Sequence, residues 1–235
     1  MSSRPFRILR LGRVAYDEAL ALQTSLLERR QRDEIPDTIL LLEHPPVITL
    51  GRRGDERNIL AEESELAAMG IDVRRVGRGG DVTYHGPGQL VGYWILSLSR
   101  WRNDVGKFIG AIEETIIRAI GAFGIEGRRV SDLRGVWCPA PPTGEPEKIA
   151  SIGVGIKRWV AHHGFALNVT TDLARFDAII PCALTGKRMT SMARRVGRDI
   201  AMEEVENVVA GVLPEVLGGP LLKDEAVLPE AAGRF

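Results

Sequence analysis

Apolar residues recur every three or four positions between Asp104 and Phe123, which is the period of a helix with one buried face. Asp104 is a suitable N-cap, because its carboxylate can accept hydrogen bonds from the first free backbone N–H groups. Gly124 follows the last apolar position and suits the left-handed residue that ends many helices. The pattern therefore predicts a long amphipathic helix over Asp104–Phe123.

Three shorter stretches have a similar period. They predict helices over Tyr16–Arg32, Ala61–Met69 and Met202–Leu213. Pro214 follows the last of these stretches, and a proline inside a helix removes a backbone hydrogen bond. We therefore expect the third helix to end before Pro214.

The other apolar segments are short and bounded by turn residues, as strands are. They are Phe6–Leu11, Thr38–Leu42, Val47–Leu50, Ile71–Val76, Gln89–Leu98, Val136–Cys138, Ile149–Ile156 and Trp159–Val169. Only Lys157 and Arg158 separate the last two, which predicts a hairpin in the middle of the sheet. Because strands and helices do not alternate regularly, the order favours an α+β fold, with a mixed β-sheet flanked by helices, over a doubly wound parallel sheet.

The charged residues balance: 31 Lys and Arg residues face 31 Asp and Glu residues. A dedicated binder of nucleic acid or of a membrane surface normally carries a basic excess, so we expect neither partner. The length of 235 residues suits one domain. We place that domain at residues 1–217 and expect a peripheral tail over residues 218–235.

The chain contains two cysteines, too few for a framework of several disulfides. Arginines interrupt its N-terminal segment, unlike the apolar core of a secretory signal. Its most apolar stretch is far shorter than the roughly 20 residues that cross a bilayer. These features together predict a cytoplasmic protein.

Four glycines, a proline and a histidine crowd the segment from Arg78 to Gln89. Gly79 and Gly80 would let the backbone approach a ligand closely and offer it N–H donors, and Arg78 could pair with an anionic group. The alternative is a long connecting loop between strands. The spacing fits neither of the phosphate-binding motifs G-x-G-x-x-G and G-x-x-x-x-G-K-[ST].

Cys182 directly follows Pro181 and precedes a basic run. The cations of that run come before the next acid: Lys187, Arg188, Arg194, Arg195 and Arg198. Nearby cations lower the pKa of a thiol and favour the nucleophilic thiolate, so Cys182 is a candidate nucleophile. Cys138 lies at a predicted strand end, where a structural role is more usual.

Metal ligation is not indicated by the sequence. The chain has no C-x-x-C pair, and the adjacent His162 and His163 are expected to point to opposite faces of a strand. We therefore expect no metal and no other cofactor.

Lys148 begins the apolar run Lys148–Gly153, which should enter the core. A lysine at the start of a strand most often extends its ammonium group to solvent. The functional alternative is an ammonium group held near a thiol, where it stabilises the thiolate and later moves a proton.

These segments, in this order, resemble the lipoyl(octanoyl) transferase family, the octanoyl-acyl-carrier-protein:protein N-octanoyltransferases. The resemblance covers roughly residues 6–215. The matching motifs are Glu43–Gly51 (EHPPVITLG), Arg78–His85 (RGGDVTYH) with Gly88, Gln89 and Tyr93, Lys148–Gly153 (KIASIG), His163–Asn168 (HGFALN), and Pro181-Cys182.

The resemblance implies the fold of biotin and lipoate protein ligases, an α+β catalytic domain in which a mixed sheet holds an acyl chain. It implies that Cys182 is the acyl-thioester nucleophile and that Lys148 lowers the pKa of its thiol. The residues implied to line the octanoyl site are Arg78, Gly79, Gly80, Asp81, Val82, Thr83, Tyr84, His85, Ser151, Ile152, Gly153, Gly164, Phe165 and Ala166.

The implied reaction belongs to lipoate biosynthesis. An octanoyl group passes from the phosphopantetheine thioester of octanoyl-acyl carrier protein to Cys182, and then to a lysine of a lipoyl-accepting domain. The implied acceptors are lipoyl domains of 2-oxoacid dehydrogenase E2 subunits and the glycine-cleavage H protein. Thioester exchange is nearly isoenergetic, so ATP is not expected. Both partner proteins are implied to be acidic, and the run Lys187–Arg198 is either their docking patch or a solvated basic loop.

Three other functions fit part of the sequence. An ATP-dependent lipoate or biotin protein ligase shares the implied fold but needs no cysteine at position 182. A cysteine hydrolase would use Cys182 with His85 or His163 and Asn168, although the local signatures of cysteine proteases are missing. A non-catalytic module that binds lipoyl domains or carrier proteins predicts binding without an acyl-enzyme.

Overall fold

The computed structural model describes residues 4–139, 144–181 and 187–222. Cys182 and residues 223–235 of the predicted tail lie outside the described residues. The helices are α1 (Tyr16–Gln31), α2 (Glu63–Ala68), α3 (Val105–Gly121), α4 (Met192–Val196) and α5 (Met202–Leu217). The strands are β1 (Phe6–Arg13), β2 (Asp37–Glu43), β3 (Val47–Leu50), β4 (Asp72–Arg75), β5 (Val82–His85), β6 (Gln89–Ile95), β7 (Arg128–Val130), β8 (Leu133–Cys138), β9 (Glu147–Lys157) and β10 (Val160–Asn168).

The strands form two sheets of mixed direction. The larger sheet has the order β1-β2-β6-β10-β9-β8-β7, with β1 and β2 parallel and the other neighbours antiparallel. The smaller sheet has the order β4-β3-β5, in which β3 is parallel to β4 and antiparallel to β5. The predicted α+β fold with a mixed sheet flanked by helices is confirmed.

Helices cover both faces of the larger sheet, and strand β2 shows why its sequence is continuously apolar. Ile39 and Leu41 pack in the cluster that contains the buried faces of α3 and α5. Leu40 and Leu42, which point the other way, pack in the cluster that contains α1. A strand buried on both faces needs apolar residues at every position.

The predicted hairpin joins β9 to β10, but its turn lies one residue later than expected. Lys157 pairs with Val160, so the turn residues are Arg158 and Trp159. Their φ angles of 50° and 61° place both in the left-handed region, as a type I′ turn requires. The sequence lacks the Asn-Gly pair that usually marks such a turn, which explains the displaced prediction.

Helix α5 was also predicted too short. It continues through Pro214 to Leu217 and ends at Gly218, whose φ is 62°. Leu213 and Leu217 are both buried in the main cluster, so the last turn is held by packing that outweighs the hydrogen bond missing at the proline.

The first residues of the predicted tail pair with β1. The backbone N–H of Phe6 donates to the Pro220 carbonyl at 3.1 Å, and that of Leu222 donates to the Phe6 carbonyl at 2.8 Å. Within the described ranges, no helix has the length and apolar content needed to cross a bilayer.

Candidate active site

The glycine-rich segment lies between the smaller sheet and β9. The Gly79 N–H donates to the Val154 carbonyl of β9 at 2.8 Å. The buried Arg78 side chain turns towards β3, where its Nη2 donates to the Thr49 carbonyl at 2.6 Å and to Thr49 Oγ1 at 2.8 Å. The segment therefore bridges the two sheets, and its middle, Val82–His85, is strand β5 rather than part of a long loop.

A narrow cavity of about 40 Å³ lies between this segment, β6, β9 and β10. Most of the residues that the resemblance implied for the acyl site line it. The lining consists of Tyr16, Arg78, Gly80, Thr83, His85, Tyr93, Ser151, Ile152, Gly153, His163, Gly164, Phe165 and Ala166. We refer to this space as the inner cavity.

The other four implied residues lie around the inner cavity without lining it. Gly79 and Asp81 line a neighbouring pocket. Val82 and Tyr84 alternate with Thr83 and His85 along β5 and pack instead in the hydrophobic cluster behind the smaller sheet.

Beside Arg78, Thr83 and Ser151, several imidazoles and tyrosines contribute polar groups to the inner cavity and its surroundings. His44 Nδ1 lies 2.7 Å from the Val14 carbonyl and must donate to it, so His44 Nε2 accepts the Tyr93 hydroxyl hydrogen at 2.7 Å. Burial lowers the pKa of His44 and raises that of Tyr93 well above its usual value. Burial also raises the pKa of Tyr16 to about 12. These groups are therefore uncharged near neutral pH.

His85 is fixed by a hydrogen bond from its Nδ1 to Gln89 Oε1 at 2.8 Å. The Gln89 amide nitrogen in turn donates to Asn168 Oδ1 at 3.0 Å, which ties β6 to β10. Burial lowers the pKa of His85 to about 3. An imidazole this weakly basic stays neutral at physiological pH.

His163 departs from the expected alternation along its strand. Its φ is 58°, and its ring centroid lies only 4.7 Å from that of His162, so the prediction that the two side chains point to opposite faces was wrong. The His163 N–H donates to Gln23 Oε1 of α1 at 3.0 Å, which holds the unusual backbone. Burial lowers the pKa of His163 to about 3. Among the described residues, no group of His, Cys, Asp and Glu side chains could hold a metal ion.

Lys148 lies in a second, wider pocket of about 570 Å³. We refer to it as the lysine pocket, and its lining includes Gly79, Gly80, Asp81, Leu133, Lys148, Ile152 and Gly153. Lys148 is only 3% exposed, so its side chain does not extend freely into solvent. Its Nζ lies 5.3 Å from the ring centroid of Trp137 on β8, within the range of a cation–π contact.

The two spaces adjoin each other. Gly80, Ile152 and Gly153 line both of them. The inner cavity therefore adjoins the pocket that contains the buried Lys148 side chain.

The chain that leads to Cys182 begins beside the lysine pocket. The Ile180 N–H donates to the carbonyl of Asn58, and Asn58 lines the pocket. On the other side of the undescribed stretch, the Lys148 N–H donates to the Arg188 carbonyl at 2.8 Å and the Thr190 N–H donates to the Lys148 carbonyl at 2.9 Å. One flank of residues 182–186 is therefore bonded to a residue that lines the lysine pocket, and the other flank is bonded to Lys148 itself.

Cys138 does not offer an alternative thiolate. It is buried in the main hydrophobic cluster, and burial raises the pKa of its thiol to about 11. A thiol with that pKa is almost entirely protonated at neutral pH.

Known proteins are similar to this chain over most of its length. Residues 15–213 match the family model of the lipoyl protein ligase A/B catalytic domain. An octanoyltransferase of Acidobacterium capsulatum is 44% identical over 237 residues, covering 96% of each chain. An octanoyltransferase of Solibacter usitatus is 51% identical over 195 residues, covering 83% of this chain and 85% of its own.

The chain belongs to the octanoyltransferase family. This confirms the family resemblance that the sequence motifs indicated. A solved structure supports the family's fold: a bi-partite lipoate protein ligase from Thermoplasma acidophilum superposes with a TM-score of 0.69, at 19% identity, covering 95% of this chain and 87% of that one. The expected likeness to the lipoate protein ligase fold is thus confirmed.

In this octanoyltransferase family member, sequence reasoning left three residues of the inner cavity out of the implied acyl site. Tyr93 stood in the quoted motifs without an assigned role, and His163 was considered only as the histidine of a cysteine hydrolase. Tyr16 gave no signal, because it occupied an apolar position of a predicted helix. Its place in the cavity depends on how α1 packs on the larger sheet.

Proposed function

We propose that this protein is an octanoyltransferase that carries the acyl group as a thioester on Cys182, with Lys148 as the partner of the thiolate. Its activity is octanoyl transfer for lipoate biosynthesis, as its family indicates. The donor is octanoyl-acyl carrier protein and the acceptor is a lysine of a lipoyl-accepting domain. We also propose a cytoplasmic location and the single catalytic domain at residues 1–217.

In the first transfer, the Cys182 thiolate attacks the carbonyl carbon of the donor thioester. A new C–S bond forms to Cys182, the bond to the pantetheine sulfur breaks, and the leaving thiolate takes a proton from the Lys148 ammonium group. The negative charge on the carbonyl oxygen needs nearby donors. The Gly79 N–H is occupied by the Val154 carbonyl, so of the adjacent pair we assign the donor role to the Gly80 N–H.

In the second transfer, the neutral amine of the acceptor lysine attacks the acyl-enzyme. A C–N bond forms, the bond to Cys182 breaks, and the surplus proton of the amine passes to the now neutral Lys148. This step regenerates the thiolate beside an ammonium group. Neither transfer consumes ATP, because a thioester is converted first to a thioester and then to a more stable amide.

Family membership is the observation that carries the proposal, and the adjoining cavities support it. Most of the residues implied for the acyl site line the inner cavity, and Gly80 and Gly153 lie at its junction with the lysine pocket. The low pKa of His85 and His163 argues against a hydrolase with either as general base, because imidazoles with a pKa of about 3 accept protons poorly at pH 7.

The test is the intact mass of the protein after incubation with octanoyl-acyl carrier protein and without ATP. We expect a hydroxylamine-labile octanoyl adduct in the wild type. Cys182→Ser should lose it, whereas the matched Cys138→Ser should keep it, and Lys148→Ala should form it slowly. An adduct that persists in Cys182→Ser, or transfer that needs ATP and free octanoate, would contradict the proposal.

A further inference from the structure

A groove of about 690 Å³ lies on the surface beside Pro181, apart from both cavities of the site. Apolar side chains dominate its floor: Leu60, Leu173, Phe176, Ile179, Pro181 and Met189. Leu60 is 57% exposed, which is unusual for a leucine of this protein. Apolar side chains therefore line an open depression on this face of the protein.

The rim of the groove carries positive charge. Arg188 and Arg194 are exposed, and within the described residues neither forms an ion pair. Lys187 is paired with Glu145, and Asp177 is the carboxylate of the described lining. The two arginines therefore outweigh the acid and leave the rim basic.

The other cations of the basic run do not belong to this rim. Arg195 is half-buried, where it donates to the Pro139 carbonyl at 2.8 Å and lies 3.3 Å from Glu147. Arg198 lies 3.6 Å from Glu204 of α5. Of the five cations in the sequence, only Arg188 and Arg194 combine exposure, a place on the groove and freedom from an ion pair in the described part of the chain.

The groove leads to the proposed chemistry. Pro181, at one end of its lining, precedes Cys182. Lys187, Arg188 and Met189, along another wall, belong to the segment whose backbone is hydrogen-bonded to Lys148. A thioester delivered along the groove would arrive between these two flanks.

We propose that this groove is the docking surface of the acyl donor, with the pantetheine arm over its apolar floor and Arg188 and Arg194 facing the phosphodiester and the acidic side chains at the base of the arm. The donor is the better partner for this rim, because its arm carries an anionic phosphodiester. The acceptor is also implied to be acidic, but the group that it brings to the active site is a lysine, which the two arginines do not favour. The inference rests on the proposed function for the nature of the arm.

The test measures the binding of unacylated holo-carrier protein to the full-length enzyme. Arg188→Glu/Arg194→Glu should raise its Kd roughly tenfold or more at low salt, and the effect should shrink at about 1 M salt, where the Debye length is about 3 Å. The matched control is Arg158→Glu, an exposed arginine in the turn that follows β9. Lys148 lies near the other end of that strand, roughly 30 Å away at about 3.3 Å per residue. It should change the Kd by less than about twofold.

Rates separate docking from chemistry. In the double variant, kcat/KM should fall roughly tenfold more with octanoyl-carrier protein than with octanoyl-pantetheine, which has neither the phosphodiester nor the protein. An unchanged Kd, an equal effect of Arg158→Glu, or an equal loss of affinity for the lipoyl-accepting domain would overturn the proposal. If octanoyl-pantetheine and octanoyl-carrier protein gave no acyl-enzyme in the wild type while the Kd shift appeared, the proposed function would fail and the docking surface would stand.

Discussion

Gly135 on β8 leaves the space that the Lys148 side chain occupies. Its φ is 113°, a backbone conformation that residues with a side chain rarely adopt. A Cβ atom at this position would lie 2.4 Å from the Ala150 carbonyl oxygen and 2.8 Å from Lys148 Cε. Gly135→Ala must therefore displace the β9 backbone, the lysine, or both.

Two costs determine the size of the effect. A non-glycine residue in such a conformation costs about 1–3 kcal/mol, and forcing a methyl group into a packed site costs about as much again. We therefore expect the free energy of unfolding to fall by about 2–6 kcal/mol, a large part of the roughly 5–15 kcal/mol of a typical domain. A shift of about 1 Å in Lys148 would also slow acylation by roughly a hundredfold.

Urea unfolding and the rate of acyl-enzyme formation measure the two effects separately. Gly110→Ala is the matched control, because it adds the same methyl group within α3 where nothing lies within 4 Å, and it should stabilise the protein by about 0.5–1 kcal/mol. The reasoning about Lys148 would be refuted if the free energy of unfolding of Gly135→Ala lay within about 0.5 kcal/mol of the wild-type value and the variant formed the acyl-enzyme at the wild-type rate.

Three further outcomes are expected. Burial lowers the pKa of His85 and His163 to about 3, so the unfolded state binds more protons than the folded state between pH 3 and about 6.5. The free energy of unfolding should therefore decrease as the pH is lowered through that window, by up to about 2.7 kcal/mol per pH unit for the pair. An equal slope in His85→Gln/His163→Gln would contradict this. Trp137→Leu should slow acylation several-fold and shift its pH profile, because the cation–π contact to Lys148 is lost; an unchanged profile would count against that contact. Asp104→Ala should lower the free energy of unfolding by about 1 kcal/mol in a urea titration, because the cap hydrogen bond to the Lys107 N–H is lost, and no change would mean that this cap is not needed.

The elements that the sequence predicted well are those determined by local patterns. Helix α3 begins at Val105, directly after the predicted N-cap Asp104, because both the cap and the apolar period lie within one short segment. The core strands were predicted for the same reason. Strand β5 was missed because Val82–His85 stands among glycines that predict a loop.

The features that the sequence did not predict depend on contacts between distant segments. His163 adopts a φ of 58° in contact with Gln23, which is 140 positions away in the chain. Tyr16 reaches the inner cavity only through the packing of α1 on the sheet. The role of Gly135 beneath Lys148 depends on the pairing of β8 with β9. The family motifs indicated most of the residues that line the inner cavity, but not the distant contacts that position them.

The most direct test of the Lys148–Cys182 pair is the pKa of the Cys182 thiol, measured from the pH dependence of its alkylation by iodoacetamide in a Cys138→Ser background. We expect a pKa below the ordinary value of about 8.5, and a rise of about 1 unit or more in Lys148→Met, because a nearby ammonium group favours the thiolate. Equal pKa values in the two proteins would contradict the proposed role of Lys148.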